Sequence, residues 1–247
     1  MPARRVLVLG GTAEARLLAS ALLAAGYDAV TSLAGVTRAP LLPPGTVRIG
    51  GFGGADGLRD HLSTEHCVAL VDASHPYAAR IATHGFIASR SLGIPYLRLE
   101  RPPWREGNGD RWISAGNANA AAAALPDNAR VLLAIGRQQI SPFIDRAAIS
   151  GIVRAIEAPD IVLPSRWRLL LQRPPFTAEE EGALIDGEGL DHVVSKNSGG
   201  DATYGKIVAA RERKIPVVMV RRPKKPEAPT FASPVDLVQA LGKAIRA

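Results

Sequence analysis

The chain has 247 residues, 47% hydrophobic and 5% aromatic, which allows one large α/β domain or two small ones packed mainly by aliphatic side chains. No apolar run approaches the roughly 18 residues of a membrane span, residues 1–11 lack the features of a signal peptide, and the single cysteine, Cys67, excludes an internal disulfide and fits a reducing cytoplasm. The net charge of +7 reflects either solubility or an anionic partner, and because no aromatic platform accompanies the dispersed basic residues, a small polyanion is favoured over nucleic acid.

The first hundred residues alternate between short apolar runs and helical patterns. Strands are predicted at residues 5–10, 28–34, 46–49, 68–73 and 95–100, and helices at 12–25, 55–62 and 78–92. This alternation is typical of a doubly wound parallel sheet, and the first strand–helix–strand unit has the length of a βαβ crossover.

Frequent prolines and glycines at residues 102–109 predict a linker. Beyond it, strands are predicted at 130–135, 151–157, 191–195 and 216–220, and helices at 117–125, 177–186, 203–213 and 234–246. We therefore predict an α/β protein of two Rossmann-like lobes with mostly parallel sheets and an interlobe cleft. Residues 1–106 would form an NADP-binding domain, and residues 107–247 a C-terminal α/β domain that contributes to the substrate cleft.

A glycine turn follows the first predicted strand, where Rossmann folds bind a pyrophosphate at the start of a helix. Gly10 takes the first place of the G-x-G-x-x-G pattern, but Thr12 stands at the second and Ala15 at the third. Gly10, Gly11 and Thr12 are candidates for binding the cofactor, and Thr12 could instead cap the helix. Glu14 would repel a phosphate and must point aside. A purely structural glycine turn is the alternative.

The end of the second strand indicates which nucleotide would bind. Enzymes specific for NAD carry an acidic residue there for the ribose hydroxyls. This chain has Ser32, Gly35, Thr37 and Arg38 instead, without an acid. Hydroxyl groups and an arginine suit a 2′-phosphate, so NADP is preferred over NAD, unless Arg38 is only a solvated loop residue.

Polar residues follow three further strands, at the sheet edge where ligands bind in open α/β folds. Candidates for substrate binding are Asp72, Ser74, Tyr77, Arg137, Gln138, Ser195, Asn197, Ser198 and Gly199, and candidates for catalysis are His75 and Lys196. The alternative for the residues around His75 is a turn that only caps the next helix. Because the other histidines lack companions at ligand spacing, no metal site is predicted.

Eight segments in chain order resemble the precorrin-6A reductase family of cobalamin biosynthesis. They are LGGTAEA (9–15), SLAG (32–35), DASHPYA (72–78), RLERPPW (98–104), GRQ (136–138), RPPFT (173–177), SKNSGG (195–200) and PVVMVRRP (216–223). Val36 departs from the family, which often has an arginine there, so the role at the 2′-phosphate passes to Arg38 or Thr37.

The resemblance implies the reduction of precorrin-6A to precorrin-6B by NADPH, with a hydride added to one carbon of a ring double bond and a proton to its neighbour. The substrate would be a polycarboxylate tetrapyrrole whose carboxylates are bound by Lys196 and Arg137. The proton would come from His75, Lys196, water or a substrate carboxyl. We expect a cytoplasmic protein with no nucleic-acid or membrane partner, in transient contact with neighbouring pathway enzymes.

Two other classes of function remain possible from the sequence. An S-adenosylmethionine-dependent methyltransferase also begins with a glycine-rich turn, but it normally has an acid at the end of its second strand, which is absent here. An NADP-sensing or anion-binding regulatory protein would bind the cofactor without turnover.

Overall fold

The computed structural model describes residues 4–35 and 41–246, and the chain divides into two compact units. Unit 1 comprises Met1–Pro102 and Pro223–Ala247, and unit 2 comprises Pro103–Arg222. Twelve strands and eight α-helices are numbered β1 to β12 and α1 to α8 in chain order.

Unit 1 is a six-stranded parallel sheet with helices on both faces. Its strands are β1 (Arg4–Leu9), β2 (Tyr27–Leu33), β3 (Thr46–Ile49), β4 (Ala69–Asp72), β5 (Tyr96–Leu99) and β12 (Thr230–Phe231). Its helices are α1 (Ala13–Ala24), α2 (Ala55–Thr64), α3 (Ala79–Leu92) and α8 (Pro234–Ala244). The sheet order is β12-β5-β4-β1-β2-β3, which is the strand order of a Rossmann fold.

The buried side chains of β1 explain why it reads as a continuous apolar run. Val6 and Val8 belong to a core that α1 and α8 cover, whereas Leu7 and Leu9 belong to a second core on the other face, against α2 and α3. Successive side chains of a strand point to opposite faces, so a strand covered on both sides has no polar alternation.

Unit 2 repeats this architecture. Its strands are β6 (Trp112–Ala115), β7 (Arg130–Ala134), β8 (Ser150–Ala155), β9 (Trp167–Leu171), β10 (His192–Lys196) and β11 (Val217–Val220). Its helices are α4 (Ala118–Ala123), a 3-10 helix (Arg137–Gln139), α5 (Ser141–Ile144), α6 (Ala178–Gly187) and α7 (Gly205–Glu212). All strands are parallel in the order β6-β11-β10-β7-β8-β9, which confirms the predicted pair of Rossmann-like α/β sheets.

The predicted domain boundaries need a correction. Residues 107–247 do not form one domain, because residues 223–247 return to unit 1. There β12 pairs with β5, and Leu237 and Leu241 of α8 are fully buried in the same core as Leu18 and Leu22 of α1. The free energy gained by burying these leucines holds the C-terminal segment on the first sheet.

No helix within residues 4–35 and 41–246 combines the length and the apolar character needed to cross a membrane.

Candidate functional site

Most of the predicted site residues lie where neighbouring strands of one sheet lead to helices on opposite faces. In unit 1 these strands are β1 and β4, with Leu9 paired to Asp72, and in unit 2 they are β7 and β10, with Ala134 paired to Ser195. Open α/β sheets bind ligands at this switch point, outside the carboxyl ends of the strands. Each unit therefore has one candidate site of its own.

The two glycines after β1 serve different purposes. The Gly10 N–H donates to the Ser32 carbonyl at 2.9 Å, and a Cβ on Gly10 would lie only 2.5 Å from Cγ2 of Thr31. Gly11 has φ +105°, which L-residues rarely adopt, and no heavy atom of the described chain lies within 4 Å of the position its Cβ would take. The turn is thus packed against β2 at Gly10 and open to a ligand at Gly11.

Thr12 caps helix α1, as the sequence allowed. Its hydroxyl accepts a hydrogen bond from the Ala15 N–H at 3.0 Å and donates to the Ala73 carbonyl at 2.8 Å. The Thr12 hydroxyl thus bridges β1 and the loop after β4. Its predicted contact with the cofactor stays a prediction.

The carboxylate of Glu14, in the first turn of α1, is paired with Arg101. Both carboxylate oxygens accept from Arg101 Nη1 at 2.9 Å. Burial favours the neutral acid, but the hydrogen bond from Arg101 and further hydrogen bonds outweigh it and lower the pKa of Glu14. The Arg101 charge therefore offsets the one negative charge in the first turn of α1.

Gly10→Ala is expected to lower the free energy of unfolding by about 1–3 kcal/mol, since the new methyl overlaps Thr31 Cγ2. Urea denaturation followed by circular dichroism measures the change. Thr31→Ser removes Cγ2 and should restore stability in the double variant. Gly51→Ala is the matched control, because no described atom lies within 4 Å of its added Cβ. A Gly10→Ala chain as stable as the control would contradict the packing argument.

The end of β2 is only partly described. Ser32 is 6% exposed and Gly35 has φ +74°, while Thr37 and Arg38 lie outside the described residues. A different arginine reaches this place: Nη1 of Arg48, from β3, is 3.3 Å from the Ser32 hydroxyl. Sequence reasoning missed Arg48, although only Ile49 separates it from the glycine-rich segment Gly50–Gly54.

Asp72, at the end of β4, is fully buried in a network of charges. Its Oδ1 accepts from the Ser74 N–H at 3.1 Å and the Ser74 hydroxyl at 2.5 Å, and its Oδ2 accepts from Tyr96 at 3.1 Å and Arg98 Nε at 3.3 Å. Lys225 Nζ lies 3.8 Å from the same Oδ2. Asp72 and Ser74 therefore support the loop, and their predicted contact with the substrate stays a prediction.

His75 and Tyr77 are half-buried in the loop that Asp72 supports. The Tyr77 N–H donates to Nδ1 of His75 at 3.3 Å, so a neutral His75 carries its proton on Nε2. Lys225 Nζ donates to the His75 carbonyl at 3.4 Å and to Glu100 at 2.7 Å. The loop is therefore held by Lys225, in the segment that returns from unit 2 to unit 1.

In unit 2, Lys196 ends β10 at the switch point and is half-buried. Burial lowers the pKa of Lys196 to about 8. Ser195, one residue earlier, is fully buried, and its hydroxyl donates to the Lys196 carbonyl at 3.1 Å. The Ser195 hydroxyl is thus used within the protein. Its predicted contact with the substrate and the catalytic role of Lys196 both stay predictions.

The loop after Lys196 is anchored by residues that sequence reasoning did not select. Asn197 Oδ1 accepts from the Trp104 N–H at 2.7 Å and Nδ2 donates to the Trp104 carbonyl at 3.0 Å, so this side chain fixes the loop to Trp104. Its predicted contact with the substrate stays a prediction. Arg222 donates to the carbonyls of Asn197 at 2.8 Å and Ser198 at 3.1 Å. Gly199 is buried with φ +72°. Trp104 and Arg222 both lie in segments that resemble the reductase family, residues 98–104 and 216–223. That resemblance was the sequence signal that could have identified them.

Arg137 begins the 3-10 helix after β7, and Gln138 beside it is exposed. Arg137 Nη1 donates to the Ala158 carbonyl at 3.0 Å and to Asp160 at 3.2 Å, and Nη2 lies 3.8 Å from Glu157. These two acids offset its charge, so Arg137 would have to exchange them for a substrate carboxylate.

In the described part of the chain, no three His, Cys, Asp or Glu residues are grouped so that they could hold a metal ion.

The fold defines the class as a two-unit α/β protein in which the sheet of unit 1 has Rossmann strand order and the sheet of unit 2 is Rossmann-like, with its first strand, β6, at the edge beside β11. The chain belongs to the precorrin-6x reductase family CbiJ/CobK, whose model matches residues 5–242. It is 47% identical over 226 residues to a precorrin-6A reductase of Rhodococcus erythropolis, covering 91% of each chain, and 44% identical over 233 residues to one of Sinorhizobium, covering 93% of this chain and 89% of that one. A solved structure described as CobK precorrin-6A reductase shares 39% identity with a TM-score of 0.91, covering 98% of this chain and 97% of that one.

The recognised resemblance is thereby confirmed, and membership of this family makes the chain an oxidoreductase of cobalamin biosynthesis. The methyltransferase and regulatory alternatives are not favoured by these relatives.

Proposed function

We propose that the chain reduces a ring double bond of precorrin-6A to give precorrin-6B, with NADPH as the reductant. The observation that carries the proposal is the turn at Gly10 and Gly11, which lies at the switch point of unit 1 and is open to a ligand at Gly11. A backbone open at the start of a helix, with its N–H groups directed outward, suits the pyrophosphate of a dinucleotide.

The residues around this turn fit NADPH. The pyrophosphate would lie over Gly11 at the start of α1, and the adenosine ribose beside Ser32 and Gly35, with Thr37 and Arg38 following in the chain. When bound, NADPH supplies the hydride, and the protein has to orient it and exclude water. Arg101 neutralises Glu14 and so removes a charge that would repel the phosphates.

The substrate is proposed to be a tetrapyrrole with several acetate and propionate carboxylates. Lys196 is the first candidate for binding a carboxylate or for supplying the proton, since burial lowers its pKa to about 8. His75 is the second candidate for the proton, through Nε2. Tyr77, Arg137, Gln138, Ser198 and Gly199 complete the proposed contacts. The net charge of +7 favours the approach of such a polyanion.

We place the reaction in the cytoplasm, with the tetrapyrrole as partner and transient contact with neighbouring enzymes of the pathway. Cys67 is a free, buried thiol, and burial raises its pKa to about 11, so it is not a nucleophile near neutral pH.

The test is anaerobic incubation of the chain with precorrin-6A and NADPH, followed by absorbance at 340 nm. We expect NADPH to be consumed in equal amount to the precorrin-6A that is reduced, and NADH to be a poorer reductant. A relative such as the Rhodococcus erythropolis reductase is the positive control. An active control beside an inactive chain would defeat the proposed activity.

A further inference from the structure

Arg48 places a cation beside the end of β2, where the sequence has no acid for a ribose. It is paired with Ser32 in the β2–β3 register, and its side chain runs toward the carboxyl ends of these strands. Nη1 lies 3.3 Å from the Ser32 hydroxyl and 2.6 Å from the Gly50 carbonyl, and Nη2 lies 2.7 Å from the Gly51 carbonyl.

Neutral groups hold the guanidinium of Arg48 in place without offsetting its positive charge. Its guanidinium carbon lies 3.8 Å from the centroid of the Phe52 ring, which stacks on one face of the group. Within residues 4–35 and 41–246, its other partners are a hydroxyl and two carbonyl oxygens, and none is a carboxylate. A half-buried guanidinium with only neutral partners attracts an anion more strongly than one already in an ion pair.

The hydrogen bonds of Arg48 within residues 4–35 and 41–246 are made by Nη1 and Nη2, and none is made by Nε. The edge formed by Nε and Nη2 of a guanidinium matches two oxygens of a carboxylate or phosphate. Arg211 uses this same edge in the protein, where Nε and Nη2 donate to the two Asp110 oxygens at 2.8 and 3.0 Å.

We infer that Arg48 is the residue that selects a cofactor with a 2′-phosphate, by donating two hydrogen bonds to that phosphate. The inference rests on the proposed function, because it assumes that a dinucleotide lies over Gly11. A ribose beside Ser32 brings its 2′-substituent to the guanidinium, and the fixed Phe52 stack orients the fork before binding. The phosphate group is thus recognised by a residue of β3.

The experiment compares two fragments of the cofactor, 2′,5′-ADP and 5′-ADP, by isothermal titration calorimetry on the full chain. Arg48→Ala is expected to weaken 2′,5′-ADP by about 10- to 100-fold, as for loss of charge-assisted hydrogen bonds, and to change 5′-ADP by less than about threefold. A role only in shaping the Gly50–Gly51 turn would weaken both fragments equally, and that result overturns the inference.

Three further variants distinguish a role of Arg48 in binding the phosphate from a role in shaping the turn. Arg59→Ala is the matched control, because Arg59 lies on α2 with a 41% exposed side chain paired to Asp56 and Asp60, and it should bind both fragments normally. Arg48→Lys keeps the charge without the fork and should retain part of the preference for 2′,5′-ADP. Phe52→Leu should weaken that preference by loosening the guanidinium.

If Arg48→Ala does not fold, a full preference for 2′,5′-ADP in both Arg48→Lys and Phe52→Leu overturns the inference. If the unaltered chain binds neither fragment, the cofactor site itself is wrong. If it binds both but Arg48 variants keep the preference, only the role of Arg48 is wrong.

Discussion

Asp72→Ala is expected to lower the free energy of unfolding of unit 1 by about 3–5 kcal/mol, the usual cost of removing one partner from a buried ion pair. Asp72 is fully buried and accepts hydrogen bonds from Ser74, Tyr96 and Arg98. Without its carboxylate, the buried guanidinium of Arg98 loses its ion pair with Asp72, while Lys225 keeps its ion pair with Glu100. Burial and the Asp72 carboxylate raise the pKa of Tyr96, so this hydroxyl remains neutral, and in the variant it can still donate to the Ala82 carbonyl, which lies 3.1 Å away.

The measurement has to report the unfolding of unit 1, which contains Asp72. All three tryptophans, Trp104, Trp112 and Trp167, lie in unit 2, so tryptophan fluorescence reports the unfolding of that unit. Urea denaturation followed by far-ultraviolet circular dichroism includes unit 1, and its transition should move to lower urea. Asp56→Ala is the control, because this carboxylate is 87% exposed and should change stability by less than about 0.5 kcal/mol. An Asp72→Ala chain with the dichroism transition of the control would refute the structural role.

The strands that sequence patterns predicted are the inner strands of both sheets, which helices cover on both faces, and one edge strand, β3. β1, β4 and β10 carry uninterrupted apolar residues because helices cover both sides of the sheet, and their ends were located within one or two residues. β6, β9 and β12 were missed. They stand at the sheet edges, where Ile113 and Leu171 are exposed and polar residues alternate irregularly, and β12 has only two residues. Edge strands are specified by their neighbours more than by their own composition.

The return of residues 223–247 to unit 1 could not be read from local patterns either. Helix α8 has the period of any amphipathic helix, and nothing in that period says which of two sheets it covers. Local patterns also could not predict the ion pair of Lys225, because its partner Glu100 is 125 residues away in the sequence. Sequence reasoning located the loop at Asp72, because polar residues end an apolar strand there, but it gave the buried carboxylate the role of a ligand.

Lys196 is the residue whose replacement should reduce the activity most. It ends β10 at the switch point of unit 2, and burial lowers its pKa from 10.5 to about 8. An ammonium with that pKa is protonated near pH 7 and releases its proton readily, which suits a general acid. Lys196→Met is expected to lower kcat by about 10²- to 10⁴-fold, the range usual for loss of an acid catalyst. Lys243→Met, on an exposed part of α8, is the control and should leave kcat unchanged.

The pH dependence follows from the direction of the shift. A proton donor acts only while protonated, so kcat should be level below pH 8 and fall as pH rises through about 8. Lys196→Arg separates the two proposed roles. A guanidinium keeps the charge but does not release a proton in this range, so it preserves carboxylate binding and loses proton donation. We expect Lys196→Arg to have nearly unchanged KM for the tetrapyrrole, a low kcat and no fall near pH 8. If Lys196→Arg is fully active and only Lys196→Met has a raised KM, Lys196 binds a carboxylate and the proton comes from another group, of which His75 Nε2 is the first to examine.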